Sequence, residues 1–257
     1  MRAPALCLLS LLLLLAAGRA NAERLEVVAD VWCPFNCQPD APLPGYVVEL
    51  LKTVFPGDSI DYRVLPWKRA ILQTRNGLSS AALASTQSMA EEAHLQIGQE
   101  PIGYSYDCLY VVAGSPVKYQ GRADDLGALN RVGIALGYEY AEGLGEWLAR
   151  PSNKAKVFSE SGDEPAARNL RKLSRGYLDG MIEDRSVMNY LLLNSEFAGR
   201  VVSAGCNQSL PLYVAFAPQQ TKGAARAAQL DQGIVALRQS GELTRILAKY
   251  GLQDWSH

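Results

Sequence analysis

Short apolar runs alternate with segments of helical periodicity along most of the chain. LEVVADV, SIDYRVL and SAALAS are short, apolar and bounded by turns, which predicts buried strands. YVVELLKTVF has apolar residues at helical spacing and ends at Pro56-Gly57. WKRAILQTRN begins after Pro66 and ends at Gly77. Both segments are therefore predicted to be helices.

The second half of the chain repeats this alternation, apart from a less regular segment over 86–101. Its predicted strands are YSYDCLYVVAG, RVGIAL, KVFSE, YLDGMIED, RVVSAG and LPLYVAFAP. Its predicted helices are DDLGALN, EYAEGLGEWLA, EPAARNLRKLS, RSVMNYLLLN, 222–239 and 241–249. Strands that alternate with helices predict an α/β protein with largely parallel sheets.

Two segments of similar form suggest two similar halves. AILQTRNGLSSAALAS and NLRKLSRGYLDGMIED each contain an apolar helix, a glycine and a short strand with a polar end. Eight residues beyond the glycines lie Ser85 and Asp184. Because ligands bind at the carboxyl ends of strands in open α/β sheets, these residues are expected on facing walls of a cleft.

The N-terminus predicts export. MRAPALCLLSLLLLLAAGRANA has a basic start, a short apolar run and Ala20-Asn21-Ala22, so residues 1–22 are predicted to be a signal peptide cleaved after Ala22. The apolar run is shorter than a membrane span, which needs about 20 residues. Loss of Arg2 and Arg19 changes the net charge from −1 to −3. With no basic patch, nucleic acid is not an expected partner.

Four cysteines follow the signal peptide, and an even number in an exported chain indicates two disulfides. They are Cys33, Cys37, Cys108 and Cys206. The C-x3-C spacing in WCPFNC fits neither a zinc knuckle nor a thioredoxin-like C-x-x-C site. Cys33 and Cys37 are expected to form a local disulfide, and crossed pairing with the other two cysteines remains open.

Eight segments in order resemble a type 2 periplasmic solute-binding protein of the family 3, polar amino-acid-binding class. They are the strand ending at WCPFN, Gly45-Tyr46 with Glu49-Leu50, PWKRA with Gly77, YSYDCLYVV, RVGIALGYEY, the unit from Gly176 to Asp184, LYVAFAP and LRQSGELTRILAKYGL. The resemblance implies two α/β lobes joined by two crossing strands, with lobe one at 23–108 plus 211–257 and lobe two at 109–210. It also implies that Cys108 and Cys206 start the two crossing strands close together, where a bridge would tie the lobes near the hinge.

One departure from the resemblance concerns the ligand. Amino-acid binders of this family usually carry an arginine soon after the position of Ser85-Thr86, where it clamps the ligand's carboxylate. This chain has STQSMAEEAH there instead. A plain amino-acid ligand is therefore less expected, and Arg69 is the alternative cation.

Further residues are candidates for ligand contact, each with a structural alternative. Trp32 and Phe35 follow the first strand and either cover a ligand or pack within the lobe. Trp67 and Arg69 begin a helix, where Arg69 pairs with an anionic ligand, pairs with Glu49 or lies in solvent.

The remaining candidates are one glycine-containing segment, two neighbouring acids and a tyrosine. Gly137-Tyr138-Glu139 opens a helix whose free N–H groups suit an anion, unless Tyr138 packs under the loop. Asp184 either holds a ligand ammonium or caps a helix, with Glu183 as its competitor. Tyr106 lines either the cleft floor or the hinge core.

These observations predict a monomeric periplasmic protein that binds a small polar solute, amino-acid-like or an organic anion, in the cleft. Its partner would be an ABC permease or a membrane sensor, and no cofactor is expected. One alternative is a dehydratase-like enzyme on the same scaffold, with Glu49, Glu183 or Asp184 as acid or base. Another is a sensory module without a transport role. No nucleophile triad, P-loop or dinucleotide motif is present in the sequence.

Overall fold

The computed structural model describes residues 23–193, 195–218 and 222–255. The predicted signal peptide at 1–22 lies outside the described residues. The described chain forms two mixed β-sheets covered by helices, which confirms the expected α/β class.

The strands and helices follow each other in the predicted alternation, except that the segment 86–101, predicted to be less regular, contains a helix at Gln87–Glu92. The strands are β1 Arg24–Ala29, β2 Ser59–Val64, β3 Ala81–Thr86, β4 Gly103–Ser105, β5 Asp107–Val112, β6 Val132–Ala135, β7 Val157–Glu160, β8 Gly180–Asp184, β9 Val201–Cys206 and β10 Leu210–Phe216. The helices are α1 Tyr46–Val54, α2 Trp67–Arg75, α3 Gln87–Glu92, α4 Glu142–Ala149, α5 Pro165–Ser174, α6 Arg185–Leu192, α7 Gly223–Gln239 and α8 Glu242–Ala248. Short 3-10 helices cover Ala123–Leu126 and Pro151–Lys156.

The two sheets have the same plan. The sheet of lobe one has the order β2-β1-β3-β10-β4, and that of lobe two has the order β7-β6-β8-β5-β9. In each, one strand pairs in parallel with two neighbours, β1 with β2 and β3, and β6 with β7 and β8. The strands next to the crossings, β10 and β5, pair antiparallel with their neighbours in the sheet. The sheets are thus mixed rather than largely parallel, because strands that cross between lobes enter each sheet against its direction.

The chain changes lobe at two points. The segment predicted as one long strand, YSYDCLYVVAG, is interrupted at Tyr106, so that β4 pairs in lobe one and β5 in lobe two. The return runs between β9 and β10. The two-lobed fold with two crossing segments is therefore as expected. The residue limits of 23–108 with 211–257, and of 109–210, stay a prediction.

Each lobe has its own apolar core. In lobe one, α1 buries Val47, Leu50 and Leu51 at helical spacing against the sheet. In lobe two, Leu109 and Trp147 belong to a separate cluster. Burial of such side chains contributes about 1.5–3 kcal/mol each. Apolar packing of this kind makes each lobe a firm wall of the cleft.

Candidate functional site

A partly open cavity of about 40 Å³ lies between the lobes. Its walls come from both sheets: the ends of β1, β3, β4 and β10 on one side, and of β5, β6 and β8 on the other. The lining residues are Asp30, Trp32, Asn36, Trp67, Leu83, Ala84, Thr86, Met89, Ser105, Leu210 and Leu212 from lobe one, and Asp107, Tyr138, Glu139, Tyr140 and Glu183 from lobe two. The carboxyl ends of the parallel strands thus meet at one cleft.

The loop after β1 brings Trp32 to the cavity. Its indole Nε1 donates a hydrogen bond to Glu183 Oε1 across the cleft at 2.7 Å. Phe35 stacks behind Trp32, with ring centroids 4.4 Å apart, and does not line the cavity. The loop is closed by a disulfide between Cys33 and Cys37, as predicted. Phe35 therefore supports the indole that faces the cavity.

Asp30 and Tyr138 form a second link across the cleft. The Tyr138 hydroxyl donates to Asp30 Oδ2 at 2.7 Å. The Tyr138 ring meets Trp32 edge-on at 5.9 Å and Trp67 edge-on at 6.3 Å. Three predicted aromatic residues, Trp32, Trp67 and Tyr138, are thus brought together around one cavity.

The expected anion site around Gly137-Tyr138-Glu139 has a different structure. The helix α4 begins at Glu142, and the N–H of Ala141 donates to Asp107 Oδ2 at 2.7 Å. A carboxylate of the protein thus occupies the helix N-terminus, which favours negative charge. Gly137 has a φ of 89°, and a Cβ there would lie 2.5 Å from Lys68 Cγ, so this turn needs glycine.

Glu139 reaches across the cleft to the start of α3. Its carboxylate accepts hydrogen bonds from the hydroxyls of Thr86 and Ser88. Thr86 lines the cavity, whereas the predicted Ser85 is buried and donates to the carbonyl of Thr86. The reason is a bulge in β3, where Ala84 has a φ of 58°. One extra residue turns the following side chains to the opposite face.

Burial raises the pKa of three carboxyl groups that line the cavity. The pKa of Glu183 is raised to about 8, that of Asp30 to about 7 and that of Asp107 to about 6. Hydrogen bonds from Trp32 to Glu183 and from Tyr138 to Asp30 oppose these shifts. Near neutral pH these acids are therefore poised between their protonated and ionised forms.

Asp184 lies beside the cavity rather than on its wall. Its Oδ1 accepts from the N–H groups of Ser186 and Val187 and caps α6, and its Oδ2 accepts from the N–H of Tyr106 at 2.8 Å. Tyr106 also lies outside the cavity, with the Arg185 guanidinium 4.0 Å from its ring centroid. The two residues join the first crossing segment to β8. Ligand contact for either stays a prediction.

Arg69 is exposed and lines a neighbouring groove that also touches Asp30. Its proposed alternative partner, Glu49, instead accepts hydrogen bonds from Tyr250 and Lys249. Arg69 therefore lies outside the cavity between the lobes, and its contact with a ligand stays a prediction.

The second disulfide joins Cys108 of β5 to Cys206 of β9. These residues are Cα partners on adjacent strands of one sheet, so the bridge lies within lobe two. It holds together the two segments that cross to lobe one, instead of tying one lobe to the other.

Asp30, Asn36 and Asp107 are among the cavity residues that were not singled out from the sequence. Two of them had a readable signal, because Asp30 and Asp107 are acids within otherwise apolar strand segments, and a buried acid in a strand often marks a site. Asn36 had no such signal, because nothing local shows that its side chain turns inward.

Among the described residues, no helix is long and apolar enough to cross a membrane. In the same parts of the chain, no three His, Cys, Asp or Glu side chains are grouped so that they could hold a metal ion.

Comparison with known proteins shows similarity in structure but not in sequence. No protein-family model and no curated protein sequence matches the chain. A histidine kinase sensor domain similar to periplasmic binding proteins matches with a TM-score of 0.72 and 18% identity, over 90% of this chain and 97% of that chain. An ancestral arginine-binding protein bound to arginine matches with a TM-score of 0.72 and 15% identity, over 88% and 97%.

A third similar structure is the arginine-, lysine-, histidine-binding protein ArtJ from Geobacillus stearothermophilus. It has a TM-score of 0.69 and 20% identity, over 90% of this chain and 97% of that chain. Together with the sheet order and the two crossing segments, these matches establish the fold. The chain has the two-lobed α/β fold of the periplasmic binding proteins.

Proposed function

We propose that this is a periplasmic solute-binding protein that captures a small polar solute between its lobes and presents it to a membrane partner. The observation that carries the proposal is the cavity lined from both sheets. Hydrogen bonds across it, from Trp32 to Glu183 and from Tyr138 to Asp30, must break when the lobes separate. In the described parts of the chain two segments cross between the sheets, so opening about them is the simplest motion that admits a solute.

The cavity contains its own spectroscopic reporters. Trp32 and Trp67 line it, whereas Trp147 is in the core of lobe two and Trp255 packs near Tyr46. Titration with amino acids, organic acids and amines should change the intrinsic fluorescence for the cognate solute. The change should be lost in a double variant Trp32→Phe and Trp67→Phe, and kept in Trp255→Phe. A folded protein that binds nothing across these classes, by calorimetry as well, contradicts the proposal.

The membrane partner is either an ABC permease or a sensor, with the protein acting as a monomer. The fold occurs both in amino-acid ABC transporter proteins and in a histidine kinase sensor domain. Deletion of the gene separates these roles. Loss of uptake of the bound solute supports transport, and loss of a transcriptional response with normal uptake supports sensing.

The proposal is for binding without chemistry. Among the acids considered for an enzyme, Glu49 and Asp184 lie outside the cavity, and Glu183 lies within it with its pKa raised to about 8. An enzymatic role therefore rests on Glu183 as a general acid or base. Product analysis after each titration tests it, because turnover that disappears in Glu183→Gln contradicts a purely binding role.

A further inference from the structure

The charge of the cavity is one-sided. Four of its residues carry carboxyl groups: Asp30, Asp107, Glu139 and Glu183. No lysine, arginine or histidine from the described parts of the chain lines it, and none of the four carboxyl groups is in an ion pair there. A ligand carboxylate would add a fifth acidic group with no facing cation, which is costly at low dielectric.

The hydrogen bonds that these carboxyl groups accept all come from neutral donors. Trp32 donates an indole N–H to Glu183, and Tyr138 donates a hydroxyl to Asp30. Asp107 accepts from the backbone N–H of Ala141 and from the hydroxyl of Ser105. Neutral donors hold the carboxyl groups in place but supply no positive charge, so the groups that ionise have no counter-ion. A cation is the missing counterpart.

Asn36 gives an independent sign of a donor-bearing ligand. Its side chain lines the cavity and is 1% exposed, and its Nδ2 donates to the carbonyl of Asp30 at 2.6 Å. Its Oδ1 is buried and has no hydrogen-bond partner. A buried acceptor without a donor costs about 1–3 kcal/mol. An N–H group of a ligand in the cavity would satisfy it.

The aromatic walls fit the same class of ligand. Trp32, Trp67, Tyr138 and Tyr140 line the cavity, with Tyr138 edge-on to both indoles and 6.4 Å from Tyr140. Aromatic faces attract ammonium and guanidinium groups, most strongly where water is excluded. A metal ion does not fit as well, because the described acids are not grouped as metal ligands. The walls therefore favour an organic cation.

We infer that the interlobe cavity binds a small organic cation, an amine or guanidine without a carboxylate. The lobes move apart to enlarge the cavity beyond its present volume of about 40 Å³. The charge of the ligand is then balanced by Asp30, Asp107 and Glu183, its N–H groups reach Asn36 Oδ1, and its carbon chain lies against the aromatic residues. The inference rests on the proposed binding function and names the class of its solute. It also accounts for the cavity's lack of a carboxylate clamp.

Binding of a cation is coupled to protons. Burial raises the pKa of Glu183 to about 8. The hydrogen bonds from Trp32 and from the backbone N–H of Asp184 oppose the rise, and the charges of Asp184 and Asp107 add to it. The pKa of Asp30 is raised to about 7 by burial, with Tyr138 opposing and Asp163 adding to the rise. A cation favours the ionised carboxylates, so binding near pH 7 releases protons.

The test uses two pairs of probes that differ by one carboxylate. Cadaverine is lysine without its carboxylate, and agmatine is arginine without its carboxylate. In calorimetric titrations near pH 7.5, at least one of the two amines should bind at least about tenfold more tightly than its amino acid. Titration in two buffers with different ionisation enthalpies should show proton release.

Glu183→Gln should weaken binding of that amine by at least about tenfold, which corresponds to about 1.4 kcal/mol. Glu49→Gln is the matched control, because it makes the same change outside the cavity, and it should bind normally. If the folded Glu183→Gln protein binds the amine as tightly as the wild type, or if lysine or arginine binds more tightly than its amine, the inference is wrong. If Glu183→Gln does not fold, the wild-type ranking of the probe pairs alone decides.

The two proposals can fail separately. Binding of an anionic or neutral solute, with the change in tryptophan fluorescence but no binding of amines, overturns the cation and leaves the binding function in place. Absence of binding by all classes overturns both. Each result is read from the same purified protein.

Discussion

Thr86 and Asp184 occupy the same place in the two lobes and hold different structures together. Each ends the central parallel strand of its sheet, β3 or β8, and each caps the helix that follows. The Asp184 carboxylate accepts three backbone hydrogen bonds, from the N–H groups of Ser186, Val187 and Tyr106. Thr86 accepts from Met89 N at 3.3 Å and donates to Glu139 of the other lobe.

The difference divides the tasks of the two junctions. The Asp184 junction is buried and fixes the crossing segment to lobe two, so it belongs to the hinge. The Thr86 junction is partly exposed and touches the other lobe, so its contact changes when the cleft opens. Asp184 therefore forms a fixed hinge contact, the pivot, and Thr86 with Glu139 forms a contact between the lobes, the latch. Both arise from a similar local sequence pattern.

The largest effect is expected at the pivot. Asp184→Ala leaves three N–H groups without their acceptor in a buried place, and should lower the free energy of unfolding by about 3 kcal/mol. Asp184→Asn keeps an acceptor oxygen and should cost less. Chemical denaturation followed by circular dichroism measures both. Equal stability of Asp184→Ala and the wild type would contradict the role of Asp184 as the hinge anchor.

The same pair of residues shows what the sequence could and could not predict. Most helices and strands, and their order, were predictable because they depend on local periodicity and on turns such as that at Gly77. The short helix Gln87–Glu92 was not predicted. The equivalence of Ser85 with Asp184 is displaced by one residue, since the bulge at Ala84 makes Thr86 the last residue of β3. A bulge depends on pairing with a distant strand, which local patterns do not contain.

Prediction of the crossing segment and of the cavity from the sequence was limited in the same way. YSYDCLYVVAG has no glycine or proline at Tyr106, so nothing local indicated that the strand changes sheets there. Trp32, Trp67 and Tyr138 could be predicted from their positions after strands or at a helix start. The tertiary structure was needed to show that Asn36 lines the cavity and that Asp107 accepts a hydrogen bond from the N–H of Ala141.

An intermediate effect is expected for Glu183, which precedes the pivot and faces the cavity. Its pKa is raised from 4.5 to about 8 by burial, so the folded protein binds a proton that the unfolded chain has released above pH 5. Stability therefore falls as pH rises through this window, and between pH 6 and 8 the contribution of Glu183 is about 2 kcal/mol. Denaturant unfolding without solute at both pH values measures the loss.

Glu183→Gln separates this contribution from those of Asp30 and Asp107, whose pKa values are also raised. The variant should lose less stability than the wild type between pH 6 and 8, and Glu49→Gln should lose as much as the wild type. A wild-type protein that becomes more stable over this range would show that Glu183 is ionised in the folded state.

The smallest effect on stability, and the most specific effect on motion, is expected at the latch. Glu139→Gln weakens the bonds from Thr86 and Ser88 because a neutral amide oxygen accepts hydrogen bonds less strongly than a carboxylate. Both lobes keep their cores, so the free energy of unfolding should change by less than about 1 kcal/mol. The open form should become more populated, with a larger radius of gyration in X-ray scattering and faster hydrogen exchange around Thr86.

Glu91→Gln is the matched control, because Glu91 accepts from Gln87 within α3 and does not reach the other lobe. Equal opening in the two variants would remove Glu139 as the latch and leave the bonds of Trp32 and Tyr138 to hold the cleft closed.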